Sequence, residues 1–124
     1  MLSDNIHSSH TIEHKTIVKH RAQVIEIKNE MDDPNGENTI FVWNIYGPVD
    51  VGRHQTSFYR ELIPSLEKCR QHCILAGDFN IVTSILDVKE TANFKLTAPA
   101  KLWKGYVYTN NMIDIFRYRN PRKK

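Results

Sequence analysis

The chain has little cysteine: two residues in 124, Cys69 and Cys73. That is too few for a disulfide framework or a thiolate metal set, so reduced thiols in an intracellular protein, nuclear or cytoplasmic, are expected. Residues 1–20 lack the apolar core of a secretory signal, and no apolar run approaches membrane-spanning length. A membrane is therefore not an expected partner. Charge of one sign is also scarce. Seventeen basic residues against fourteen acidic ones leave a net +3, which does not by itself mark a nucleic-acid binder. Internal repeats and low-complexity tracts are absent. A hydrophobic share of 40% with 25% charged residues is that of an ordinary globular chain, and excludes disorder throughout.

What is present is concentrated in the middle. Thr39 to Tyr46 is nearly continuous in apolar and β-favouring residues and stops at Gly47-Pro48. That pattern predicts a central strand covered on both faces. Ile74 to Asn80 is a second apolar run that breaks into an acid and an amide on alternate positions. In an extended segment alternate residues face the same way, so Asp78 and Asn80 are placed together while Phe79 turns back to the core. Gly77 supplies a backbone without a Cβ where something must approach closely. Between the two runs, Phe58, Leu62, Leu66 and Cys69 mark a helical stripe, with Tyr59 and Ile63 alongside. Strand, helix and strand at this spacing predict a βαβ unit with parallel strands. Both strand ends then open on one edge, the usual ligand edge of such sheets. Asn44, Tyr46, Asp78 and Asn80 converge there. A carboxylate beside an amide suits water activation or a hard cation, and an Asx turn is the plainer reading.

The remainder is less informative. Arg21 to Lys28 predicts a strand with Ala22 and Val24 on one face, Ile25 and Ile27 on the other, and a bulge or two-sided burial at the change of phase. Asp33-Pro34-Asn35-Gly36 predicts the turn to the next strand. His7, His10, His14 and His20 have no partner at metal-ligand spacing, and residues 1–20 are expected to be poorly ordered. Pro64 is expected to interrupt the first helix, and Gly105 to weaken the later one. Asp87 is expected to cap a turn, and Asp114 and Arg117 to brace one. Arg117, Arg119, Arg122, Lys123 and Lys124, with Tyr118 interleaved, form a basic end that could hold phosphates or could be a solvated terminus.

The segments Asn44-Ile45-Tyr46-Gly47-Pro48, Arg53 with Phe58-Tyr59, Ile74 to Asn80, Asp87, Leu102, Met112 to Arg117 and Asn120-Pro121 resemble the endonuclease/exonuclease/phosphatase superfamily. The nearest likeness is to the apurinic-type endonuclease domains of non-LTR (LINE-like) retrotransposons, over about Arg21 to Pro121. The resemblance implies an α/β fold, the central part of a DNase I-like α/β sandwich, with a mixed sheet and packed helices. It implies a partial domain over 21–121 followed by a basic tail at 122–124.

By the same resemblance Tyr46 contacts a scissile phosphate and Asp78 orients or deprotonates water. Asn80 hydrogen-bonds the phosphate or a metal-bound oxygen, and Asn44 supports them. Mg²⁺ or Mn²⁺ is the implied cofactor, held in part by Asp78 and Asn80, and DNA is the implied partner. The pattern also departs from the family. Its metal-binding glutamate has no match in Glu13 or Glu26, and no histidine follows His72 to match the family's closing Asp-His segment. A truncated copy is expected, weak or inactive alone, with an uncovered sheet surface open to self-association. A small-molecule phosphoesterase of the same superfamily and a non-catalytic remnant that binds nucleic acid or a partner remain the alternatives.

Overall fold

A computed structural model of the chain describes residues 10–29, 38–50, 52–69 and 72–124. His7 and the turn expected at 33–36 lie outside them. The strands are β1 (His10–Val18), β2 (Ala22–Asn29), β3 (Ile40–Tyr46) and β4 (Cys73–Asp78). The helices are α1 (Arg53–Glu67), α2 (Ala98–Thr109) and α3 (Ile115–Arg119), with a 3₁₀ turn at Ile85–Asp87. The chain is thus α/β, with one mixed sheet and helices. It forms two compact units. One comprises the described residues up to Tyr46 with Pro64–Phe79, the other Gly47–Ile63 with Asn80–Lys124.

The first unit holds the sheet, in the order β1-β2-β3-β4. β1–β2 and β2–β3 are antiparallel, whereas β3–β4 is parallel, as the spacing of the two apolar runs predicts. Period-two alternation sorts the residues onto two faces. Ala22, Val24, Trp43 and Ile45 are paired across β2–β3 on one face and buried. The opposite face carries Ile25, Val42 and Ile74, then Gln23, Asn44 and Ala76, then Tyr46 and Asp78. It is not covered: Ile74 is 55% exposed and Ile40 40% exposed. The expected two-sided burial of β3 therefore does not occur. The strand is interior to the sheet by its hydrogen bonds and buried on one face only.

Residues 10–18 depart from the expectation of a poorly ordered start. They form β1 because cross-strand pairing with β2 supplies what their polar composition lacks. Glu13 and Glu26 lie directly opposite each other, and Lys15 and Lys28 bridge them: Lys15 reaches Glu26 at 3.3 Å and Glu13 at 3.4 Å, and Lys28 reaches Glu26 at 3.2 Å. The irregularity foreseen in β2 sits on its partner instead, where the β1 register shifts between Thr16 and Val18.

Helix α1 runs unbroken through Pro64. Proline removes the hydrogen bond to the carbonyl four residues earlier. Arg60 and Pro64 are both exposed, so water can serve that carbonyl. In the second unit the core is aromatic. Tyr59 meets Phe58 edge-on at 5.1 Å between ring centroids and Trp103 at 5.6 Å, and Trp103 meets Tyr106 at 5.4 Å. Thr97 caps α2 by accepting from Ala100 N–H, and Asp114 caps α3 by accepting from Arg117 N–H at 2.9 Å. Asp87 also accepts from the Arg117 guanidinium. Asp114 and Arg117 thus have the structural roles expected of them, whereas Asp87 caps no turn: Ser84 caps the 3₁₀ turn by accepting from Leu86 N–H, and Asp87 holds Arg117 instead.

Candidate functional site

The parallel register decides which polar residues meet. Tyr46 pairs with Asp78 and Asn44 with Ala76, so Asn44, Tyr46 and Asp78 occupy one face at the carboxyl ends of β3 and β4. Neighbouring strands stand about 4.8 Å apart, which makes Tyr46 and Asp78 lateral neighbours. All three are exposed, Tyr46 at 50%.

Gly77 is what lets β4 come this close. Its φ is +127°, and a Cβ built there would stand 2.0 Å from the Ile45 carbonyl oxygen and 2.8 Å from the Ile45 nitrogen. The close approach foreseen in the sequence is thus the backbone of β3. A side chain at position 77 would push Asp78 away from Tyr46.

Arg21 is a member of this site that sequence reasoning missed. Its guanidinium lies 5.0 Å from the Tyr46 ring centroid, and its Nη1 donates to the Tyr46 carbonyl at 3.4 Å. The Tyr46 N–H in turn donates to the Arg21 carbonyl at 2.7 Å. A cation thus lies over the phenol that the resemblance assigns to a phosphate contact. The signal in the sequence was slight: an arginine just ahead of a strand whose antiparallel partner ends at Tyr46.

Asn80 begins the second unit. It adopts a left-handed backbone, φ +48°, which asparagine tolerates better than most residues. Its Nδ2 donates to the Gly47 carbonyl at 2.8 Å. Gln55, 1% exposed, donates from Nε2 to the Pro48 carbonyl at 2.9 Å and to the Asn80 carbonyl at 2.6 Å. This amide ties the segment after β3 to the segment after β4. It was not read from the sequence, because a glutamine on a helix carries no pattern of its own.

Arg117 is engaged with Asp87 and with the Lys123 carbonyl. Arg119, Arg122, Lys123 and Lys124 are exposed, with no ion pair among the described residues. Glu13 and Glu26 stand on the sheet face opposite Tyr46 and Asp78. Burial works against the Glu26 carboxylate, but the hydrogen bonds and charges of Lys28 and Lys15 outweigh it and hold its pKa below the usual range. Cys73 is pushed up to about 11, chiefly by burial and then by the Cys69 thiol beside it, against a smaller opposing pull from Trp43.

Neither the protein-family models nor the curated proteins compared with this chain match it.

The implied divalent ion finds a poor donor set. Among the described residues no group of three or more His, Cys, Asp or Glu side chains gathers. Among the described residues the Tyr46–Asp78 edge offers one carboxylate, while Glu13 and Glu26 face the other way and are paired to Lys15 and Lys28. Mg²⁺ needs six oxygen ligands in near-octahedral order and takes one or two carboxylates beside phosphate and water. Among the described residues the oxygen donors are too few for a resident Mg²⁺ or Mn²⁺ site. No helix among the described residues is long and apolar enough to cross a membrane.

Proposed function

We propose that the chain carries the phosphate-facing part of a DNA endonuclease of the non-LTR retrotransposon kind, on a DNase I-like α/β framework. It engages a phosphodiester, and its own hydrolysis is weak or absent. The observation that carries this reading is the register of Tyr46 with Asp78 at the carboxyl ends of two parallel strands. The roles follow from chemistry. The exposed Asp78 carboxylate can accept a proton from an attacking water. The Tyr46 phenol can donate to a phosphate oxygen, and Arg21 supplies positive charge beside it. Asn80 holds the Gly47 carbonyl within the second unit.

The test is nicking of supercoiled plasmid by the purified chain, with Mg²⁺ and with EDTA, beside Asp78→Ala. Circular dichroism verifies that both are folded. The replacement of an exposed carboxylate leaves the fold intact and lowers any nicking by about 10²–10⁴-fold, the usual worth of a positioned base. Equal nicking by both proteins would refute the assignment of Asp78. A second reading, a non-catalytic remnant of the same fold, is favoured by the single carboxylate at the edge. A folded wild-type chain that binds DNA and never nicks it would support that one.

A further inference from the structure

We infer that the segment from the end of α2 to the chain's last residues is a binding surface for single-stranded nucleic acid. This inference does not rest on the hydrolytic reading above. Its parts all lie in the second unit.

The first part is uncompensated charge. Residues 113–124 contain five basic residues, Arg117, Arg119, Arg122, Lys123 and Lys124, and one acid, Asp114. Arg117 is spent on internal work: it holds Asp87 and the Lys123 carbonyl, and so folds the tail back beside α3. Lys123 N–H also donates to the Asn120 carbonyl. The other four cations are exposed and have no counter-charge among the described residues. They are therefore held near one short helix, where they can act together on a polyanion.

The second part is aromatic. Tyr118 is 75% exposed and Tyr108 86% exposed, values that no packing requirement explains. Tyr118 stands between Arg117 and Arg119 in the chain. Tyr108 lines a wide-mouthed cavity of about 570 Å³ with Val107, Thr109, Asn111 and Met112. It is a shallow depression that leaves the Tyr108 ring presented to solvent, where a base can stack on it. Sequence-tolerant binding of single strands uses these two components together: cations along the backbone and rings on which bases stack.

Two competing anions fit less well. In duplex DNA the bases are already stacked, so exposed rings gain nothing from them. A membrane-surface helix must separate an apolar face from a charged one. Helix α3 does not: around its axis Arg119 falls between Ile115 and Phe116, and Arg117 lies between Phe116 and Tyr118.

The test is fluorescence anisotropy in EDTA, so that hydrolysis cannot enter the result. It uses labelled oligothymidylate of about 12 nucleotides, within the site size of such surfaces. A duplex of equal length and phosphatidylcholine vesicles containing phosphatidylserine are measured alongside. The single strand is expected to bind most tightly, with a log–log salt slope of about −3 from four released counterions. Tyr118→Ala should weaken binding by at least roughly fivefold, while Tyr118→Phe retains it. Replacing Arg119 and Arg122 by alanine should cut the salt slope by about half. Equal affinity for the duplex, indifference to Tyr118→Ala, or binding to the vesicles alone would each overturn the inference. Both substituted sites are solvent-exposed, and circular dichroism excludes misfolding as the cause of a loss.

Discussion

Gly77→Ala should remove more stability than the same substitution at Gly52 or Gly105. The new Cβ would sit 2.0 Å from the Ile45 carbonyl oxygen and must retreat to about 3.4 Å for ordinary contact, a shift of about 1.4 Å. The atom it meets is backbone inside a sheet, so it has no flexible end to swing away. Moving β4 by that amount against a strand spacing of about 4.8 Å breaks the ladder locally. Two ladder bonds lost at about 1 kcal/mol each, with about 1–3 kcal/mol for an alanine at φ +127°, give roughly 3–5 kcal/mol. That is a large part of the 5–15 kcal/mol typical of a whole domain. Two control substitutions separate the contributions. Gly52→Ala, at φ +142° with nothing within 4 Å of the added methyl, carries the backbone strain alone, about 1–3 kcal/mol. Gly105→Ala lies within α2 in open space and should stabilise by up to about 1 kcal/mol. Urea unfolding followed by circular dichroism gives all three. If Gly77→Ala costs no more than Gly52→Ala, the close approach of β4 to Ile45 is not what the glycine is for.

Two further outcomes follow from the ionisable groups. Glu26 has its pKa depressed by Lys15 and Lys28, so its contribution to stability is complete above the unfolded value and is lost as pH falls through the folded one. Glu26→Gln should therefore cost at most about 1 kcal/mol near neutrality and nothing in acid, and the loss should shrink in high salt. Parallel pH–stability curves for the two proteins would count against the bridge. Cys73, with its thiol pushed up to about 11, should react with iodoacetamide at pH 8 far more slowly than an unfolded cysteine, and reach the unfolded rate in denaturant. Mass spectrometry of the labelled protein measures both rates.

The parts of the fold that were legible in the sequence are those that repeat locally. Apolar runs ending in Gly47-Pro48 and in Asp78-Phe79-Asn80, with a helical stripe between them, are sufficient for the parallel pair and for the Tyr46–Asp78 neighbourhood. The absence of a Cβ at Gly77 could be read as close approach, although not what approached. β1 was missed because Glu13, His14 and Lys15 interrupt its β-favouring residues, and the support of Glu13 and Lys15 comes from Lys28 and Glu26 on another strand. Pro64 misled for the opposite reason: the local rule is sound, but the carbonyl it leaves free belongs to an exposed turn. Arg21 and Gln55 were invisible because each acts on residues outside its own element, Arg21 on Tyr46 and Gln55 on Pro48 and Asn80.

The mixed direction of the sheet also sets an order in time. β1 and β2 are joined by the three residues 19–21, whereas 26 residues, 47–72, separate β3 from β4. Closing the longer connection costs about 2 kcal/mol more in chain entropy, from the logarithm of the length ratio. The antiparallel strands can therefore zip early, and β4 docks last. Tyr46 spends the first stage of folding on a sheet edge without Asp78 beside it. β4 is an edge strand of the described sheet and β2 an interior one, so amide hydrogens of β4 should exchange ahead of those of β2. With that outcome, the presence of the acid beside Tyr46 is tied to the opening of one edge strand.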